Sequence, residues 1–237
     1  MIEITNTMVE GFEPAVRGMR NSWNSWKKSD SDWCSLYSDR LCKGCVYDGG
    51  VECLRFMNRD CEKKFFIGKN DLALMKKLVK AGTDHRKFLR MITVWCDITA
   101  PLYWWAEADT YKVGTVANSC STMHCIADKE FTVDDFSHEY LIAAGINSLE
   151  RTIEDLNSCR EGYLNEAIKE NPEWHKETWW PMIQLLPSSY NQKRTVMLNY
   201  EVLINMYKAR KNHKLDEWRE FCKWVEKLPY MKELLEV

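Results

Sequence analysis

"DTYKVGTVANSCSTMH", Asp109 to His124, follows directly on the bulky run "PLYWWAEA", and its reading decides what the chain is. It is rich in small and hydroxylated residues, has no proline, carries one cation, Lys112, and closes on His124. Two readings fit these residue types. The hydroxyls and the amide of Asn118 can line a strand or loop that serves a polar ligand. Alternatively, Ser and Thr so near a helix end cap backbone groups in a polar surface turn.

Upstream, Thr99 is placed to cap a helix over about residues 100–111, with Pro101 at an early position where its missing N–H costs little. Before it, "HRKFLRMITVWCDIT", residues 85–99, is rich in β-branched and aromatic residues and predicts a strand. Asn70 or Asp71 can cap a helix whose Leu72, Met75, Leu78 and Val79 recur at helical spacing, with Gly82 as the stop. A short helix is expected from Glu13 to about Met19, with Arg17 and Arg20 on one face.

Downstream, "DDFSHEYLIAAGINSLERTIEDLNSCREGYLNEAIKE" predicts two helices, broken by "NPEWHKETWWP". A strong helix is expected from Thr195 to about Lys211, bringing Asn199, Leu203, Met206 and Arg210 onto one face. The last helix, about Lys214 to Lys227, has Leu215, Trp218, Cys222 and Val225 as its apolar stripe and Arg219 at the stripe's edge.

At 237 residues the chain can bury a core without covalent staples, and a single domain over 1–237 with an irregular Cys-rich insertion at about 30–64 is expected. The net charge of −2 provides no basic field, so a long nucleic acid is not the expected partner, while a small phosphorylated ligand held by a few placed cations is. No apolar run is long enough to span a membrane, and "MIEITNTMVEGFE" lacks the features of a signal peptide. The expected location is cytoplasmic, so the ten cysteines read as thiols or metal ligands before disulfides. Five of them, Cys34, Cys42, Cys45, Cys53 and Cys61, fall in the insertion; "CKGC" has the shape of a zinc knuckle, but a second C-x-x-C is missing, and a loop with free thiols is the competing reading. No His and carboxylate set stands at metal-ligand spacing and no Gly-rich phosphate loop occurs, so no catalytic metal is expected. A Cys–His pair of Cys120 or Cys125 with His124 is disfavoured, because neighbours on an extended segment point to opposite faces. The clustered tryptophans (Trp23/Trp26, Trp104/Trp105, Trp179/Trp180, Trp218/Trp224) read as core and interface packing, or as stacking platforms for a flat heterocycle.

Taken in order, "LVKAGTDH", "TYKVGTVANSCSTMH", "LLPSSYNQKRTVMLNYE" and "LDEWR" resemble the motif series of the flavin-dependent thymidylate synthases, nearest to the variants carried by bacteriophages and their bacterial hosts. The resemblance covers about residues 70–227, with a weaker echo in the N-terminal helix. It implies an α/β (α+β) fold, a twisted, mostly antiparallel sheet flanked by helices, assembled as a homotetramer with sites between subunits, in the cytosol of a bacterial host cell. It also implies reductive methylation of dUMP to dTMP, or a related C5 modification, with FAD as cofactor and NADPH and methylene-tetrahydrofolate as co-substrates. By the matched motif positions Asn118, Ser121 and Arg219 would hold the nucleotide, with Arg219 and Ser121 at the reacting base, joined by His124, where the family has Tyr, and by Arg210 as a compensating cation. His85, Lys112 and Asn199 would face the flavin, and Glu217 matches the acid of the last motif.

The departures are as informative. The family's Arg-His-Arg becomes Thr110-Tyr111-Lys112, its closing Arg-Tyr becomes Met123-His124, its motif acid becomes Ser119, and the arginine of its Asn-x-Arg becomes Glu201. Each lost hydrogen bond to a charged group removes about 1.5 to 3 kcal/mol, so Lys112, Arg210, Arg90, Arg17 and Arg20 are the candidates to compensate. Two other functions therefore compete with the enzyme: a catalytically inactive nucleotide binder of the same fold, such as a phage counter-defence protein that sequesters a mononucleotide or cyclic-nucleotide signal, and an interaction protein that uses its aromatic clusters at interfaces.

Overall fold

The structure, a computed structural model, describes residues 1–33 and 65–237. The cysteine-rich stretch read as an insertion, with Cys34, Cys42, Cys45, Cys53 and Cys61, lies outside the described residues. Two compact units emerge, the first made of Met1–Met8, Trp95–Leu198 and Met206–Trp224, the second of Val9–Val94, Asn199–Asn205 and Val225–Val237.

A four-stranded sheet in the order β1-β4-β6-β5 is formed by β1 (Glu3–Glu10), β4 (Thr93–Pro101), β5 (Thr115–Ser119) and β6 (Asn191–Asn199), with β5 and β6 antiparallel. β1 had no counterpart among the elements expected from sequence. Burial alternates residue by residue along β4, with Val94, Cys96, Ile98 and Ala100 inward, as a strand with one face on the core requires. That alternation begins only at Thr93. The expected strand over 85–99 is therefore corrected at its start, where Lys87–Met91 coil into a 3-10 turn. It is extended at its end, since Pro101 closes the strand rather than opening a helix, and α3 runs Leu102–Ala108.

The helix expected from Thr195 is also corrected. Residues up to Asn199 belong to β6, because β5 offers them a complete antiparallel ladder, Thr115 opposite Leu198 through to Ser119 opposite Arg194. The helix α8 begins at Tyr200 and ends at Arg210, so Asn199 stands at its entrance, its side-chain oxygen accepting from the Val202 N–H at 3.0 Å. α9 (Asp216–Glu226) keeps the anticipated stripe, with Trp218, Cys222 and Val225 buried.

Within the first unit a satellite core forms where α5 (Ala143–Leu164) packs against α7 (Pro172–Gln184), joined by the short α6 (Glu166–Lys169). Leu149, Ile153, Leu156 and Met182 meet Ile126, Phe131 and Phe136 there. The segment "NPEWHKETWWP" is thus not a break. Asn171 caps α7 by accepting from the backbone of Glu173 and Trp174, Pro172 takes the first helical position where prolines are tolerated, and Pro181 lies inside the helix.

In the second unit, α1 (Phe12–Arg20) follows Gly11, which is left-handed at φ 96° and so close to Met91 that a Cβ would lie 2.0 Å from its carbonyl oxygen. The paired β2 (Asp32–Trp33) and β3 (Phe65–Phe66) lead to α2 (Lys69–Lys80). The α2 cap comes from neither Asn70 nor Asp71. Asp30 reaches in from a distant loop to accept from the N–H groups of both, while Asp71 is fully buried and paired with Arg20. No helix among the described residues is long and apolar enough to cross a membrane.

Candidate functional site

Opposed residues of an antiparallel pair share a face, so the β5–β6 register divides the opening stretch between the two sides of the sheet. Thr115, Ala117 and Ser119 stand with Leu198, Val196 and Arg194 on the inner side; Val116 and Asn118 stand with Met197 and Thr195 on the outer. The outer side carries a polar cluster beside Val116 and Met197. There Asp97 accepts from Thr195 Oγ1 at 2.6 Å and Asn6 Nδ2 at 2.9 Å and pairs with Lys193 at 3.1 Å. These hydrogen bonds, that of Thr195 first, bring its carboxyl down to about 2.

On the inner side lies a cavity of about 330 Å³ walled by Trp104, Trp105 and Tyr111 of the α3 region, Phe221 of α9, Met206 of α8, and Ile98, Val196 and Leu198 of the sheet, with Asp109, Lys112 and Thr115 among its polar lining. Three tryptophan and phenylalanine rings nest behind it, Trp104 lying 4.8 Å from Trp218 and 5.8 Å from Phe221 between centroids. Cations flank the rings. Arg194 stacks 4.1 Å over Trp105 and pairs with Asp109 at 2.7 Å. Arg210 stacks 4.8 Å over Trp218, donates to Tyr111 Oη at 2.9 Å and pairs with Glu107 at 2.7 Å. Glu107 also accepts from Trp218 Nε1 at 2.9 Å and lies 3.5 Å from His213 Nε2.

The residues expected at the site divide between the units. Lys112, Asn118, Ser121, His124, Arg210 and Arg219 belong to the first; His85 and Asn199 belong to the second. Lys112 is exposed and lines the cavity. Asn118 is exposed on the outer face. Ser121 precedes the short helix α4 (Thr122–Cys125), on which His124 is exposed. Arg219 pairs with Asp216 and donates to the carbonyls of His213 and Lys214 at 2.9 and 3.1 Å, so it is pinned at the start of its own helix. Neither Arg219, Ser121, Asn118 nor His124 lines the cavity. His85 is exposed, next to the buried Arg86.

The reserve of cations is smaller than the sequence suggests. Arg20 is buried against Asp71 at 2.5 Å, Arg210 is held by Glu107, and Arg90, with Arg86, pairs with Glu201. The hydrogen bond to Glu201 raises the Arg90 guanidinium further. So Glu201, which replaces an arginine of the family motif, is neutralised from within the chain. Lys112 and Arg17 are the exposed candidates without a carboxylate partner among the described residues. Thr110 and Tyr111 are also engaged, the Thr110 hydroxyl on the Glu107 carbonyl and the Tyr111 hydroxyl on Arg210.

Sequence reasoning missed Glu107, and gave Glu217 only its motif match and Trp104 only its place in an aromatic cluster. Glu107 sits four residues before Tyr111, a spacing that hinted at a shared side. Glu217 is buried and accepts from the Tyr103 hydroxyl; burial, and after it Glu217, pushes that phenol well above its ordinary range. No cluster of three or more metal-ligating side chains occurs among the described residues.

No family model matches the chain, and no curated protein does. Solved structures do. Thymidylate synthase X from Helicobacter pylori, solved with FAD and dUMP, aligns with a TM-score of 0.59 at 15% identity over 99% of this chain and 97% of that one. A second structure of the flavin-dependent enzyme from the same organism, complexed with FAD and dUMP, gives 0.57 at 16% identity over 98% and 97%. The chain has the fold of the flavin-dependent thymidylate synthases, a mixture of helices and antiparallel sheet, as the motif order implied.

Proposed function

We propose that this chain binds a pyrimidine mononucleotide and acts as a flavin-dependent thymidylate synthase-like protein, by reductive methylation of dUMP to dTMP or a related modification at C5 of the base. The observation that carries this reading is coverage. The likeness runs over 99% of this chain and 97% of a neighbour solved with FAD and dUMP. A fold alone does not fix chemistry; the residues at the motif positions supply the rest of the support.

In this reading Asn118, Ser121 and His124 from the β5–α4 segment, with Arg210 and Arg219, hold the nucleotide, and Arg219 and Ser121 meet the base. A planar guanidinium suits the carbonyl edge or the phosphate because it donates two parallel hydrogen bonds. Lys112, His85 and Asn199 are the residues that would hold FAD. Lys112, exposed and without a carboxylate partner among the described residues, offers an ammonium for a pyrophosphate and the exposed His85 an imidazole for a ring edge, while the Asn199 amide oxygen already accepts from Val202. When bound, FAD supplies the hydride, with NADPH as reductant and methylene-tetrahydrofolate as one-carbon donor. A cytosolic homotetramer, with sites shared between subunits, belongs to the same proposal.

A second reading is favoured by one observation: the arginines available to a dianion are tied up within the chain, Arg219 to Asp216, Arg210 to Glu107, Arg90 to Glu201. A protein that sequesters a nucleotide without redox chemistry needs fewer of them. Purified protein decides between the two. Yellow protein that releases tritium from C5-labelled dUMP in the presence of NADPH and methylene-tetrahydrofolate supports the enzyme. Colourless protein whose melting temperature rises with dUMP or a cyclic nucleotide supports the binder. A protein that responds to neither flavin nor any nucleotide overturns both.

A further inference from the structure

The second unit holds an open groove of about 810 Å³ that the proposed nucleotide and flavin contacts leave unused. One wall is α2, where Asn70, Leu74 and Lys77 recur at steps of four and three and so share a face. The other is the chain just beyond α1, two 3-10 turns, Asn21–Trp23 and Trp26–Lys28, with Asn24 left-handed at φ 46° between them. It contributes Trp23, Asn24, Ser25 and Lys28, and Arg20 completes the lining, which contains no acid among the described residues.

Arg20 is the fixed part of this site, with a side chain 5% exposed. Its Nε donates to Asp71 at 2.5 Å and its Nη1 to the Ser25 carbonyl at 3.2 Å. Nη2 makes no hydrogen bond among the described residues, yet it is not a buried orphan, because the buried side-chain polar atom without a partner among them is Trp104 Nε1. Solvent therefore reaches Nη2, and the groove that Arg20 lines is where it does so.

Charge indicates the ligand. Asp71 balances Arg20. Lys28 and Lys77 are exposed and have no carboxylate partner among the described residues. Asp30, two residues beyond Lys28, is engaged at the start of α2, where it accepts from the backbone of Asn70 and Asp71. Two positive charges remain, a match for a phosphate monoester of about −1.5 to −2 at pH 7. A guanidinium edge and two ammonium groups suit its oxygens, and the Trp23 ring, 59% exposed, offers an apolar face to a flat organic group.

We infer that this groove binds a small phosphate monoester of a flat ring, its phosphate held by Arg20, Lys28 and Lys77 and its ring laid on Trp23. None of these residues is a proposed nucleotide or flavin contact, and the inference stands whether or not the chain turns over dUMP.

The test uses the full chain labelled with 15N-tryptophan, in which each indole N–H gives one NMR signal and that of Trp23 is identified by its loss in Trp23→Phe. Three probes are titrated: phenyl phosphate, inorganic phosphate and phenol. Phenyl phosphate is expected to bind below millimolar concentration and to move the Trp23 signal, inorganic phosphate to bind about tenfold more weakly, and phenol not to bind in that range. The double variant Lys28→Gln/Lys77→Gln, chosen because removing Arg20 would strand the buried Asp71, should keep its melting temperature and lose at least about tenfold in affinity for phenyl phosphate, the effect of a lost hydrogen bond to a charged group. The inference is overturned if phenyl phosphate fails to bind at millimolar concentration, if it binds without moving the Trp23 signal, if phenol binds as tightly, or if the double variant keeps full affinity. Displacement of phenyl phosphate by FAD, or loss of dUMP affinity in the double variant, would end the separation of this groove from the proposed contacts.

Discussion

Asp71 and Glu107 are both helix carboxylates that gather donors from distant parts of the chain, yet one is closed and the other open. Asp71, in the second unit, is fully buried and accepts from Arg20 Nε at 2.5 Å, from the Ser29 and Ser31 hydroxyls at 2.6 Å, and from the backbone of Asp30 and Ser31 at 3.1 Å. Burial by itself would raise its pKa, but the hydrogen bonds of Ser29, Ser31 and Arg20 outweigh it and hold the carboxyl below its ordinary range. Glu107, in the first unit, keeps a side chain 35% exposed and shares one oxygen between Arg210 and Trp218. It sits on α3, whose Trp104, Trp105 and Ala108 line the cavity. A buried carboxylate that accepts from five donors fixes the backbone around it. One that is half open holds a cation and an indole beside a space that a ligand can enter.

Removing the closed hub should have the largest effect. Asp71→Ala leaves Arg20 buried without its partner and is expected to lower stability by about 3–5 kcal/mol, read from urea unfolding; a loss under about 1 kcal/mol would erase the contrast. Acid titration sharpens it. Because the folded pKa of Asp71 lies below its unfolded value of roughly 4, its stabilisation is complete above that pH and is lost as pH falls through the lower folded value. Unfolding curves of Asp71→Asn should therefore flatten in that window. Asp97 makes the same demand between about 4 and its folded value of about 2, and Asp97→Asn should flatten its own share.

Glu107→Gln keeps an acceptor but removes the charge. It should cost about 1–2 kcal/mol, and the tryptophan fluorescence should shift as Arg210 loosens over Trp218. A larger loss, approaching that of Asp71→Ala, would show the open hub to be structural as well. The smallest effect on stability is expected from Arg219→Ala, whose exposed pair with Asp216 contributes under about 1 kcal/mol. The same variant should weaken dUMP binding roughly tenfold, since a hydrogen bond to a charged group contributes about that much. Unchanged affinity by calorimetry would remove Arg219 from the proposed site.

What could be seen in the sequence was whatever repeats locally. The stripe of α9, the periodicity of α2 and the order of the motif segments all predicted their elements. Local reading failed where a partner strand or a distant side chain decided the outcome. Thr195 to Asn199 carries helix-compatible residues, but β5 pairs with it and holds it extended. The α2 cap is Asp30, from across a loop, in place of the adjacent Asn70 or Asp71. The supply of free arginines was overestimated for the same reason, because each acid that claims one lies far away in sequence or one turn along a helix: Arg20 with Asp71, Arg90 with Glu201, Arg219 with Asp216.

Residue types and their spacing by themselves determined where α2 and α9 lie and the absence of a basic field, since hydrophobic periodicity and net charge depend on nothing beyond the chain, while the class of fold was legible only through the resemblance of the motif order. Only the tertiary structure decided which face of β5 each residue of "TVANS" takes, and which cations are claimed by distant carboxylates. Those outcomes rest on pairing between groups tens of residues apart, and a hydrogen bond or ion pair is set by the distance between its partners in space, which local sequence does not encode.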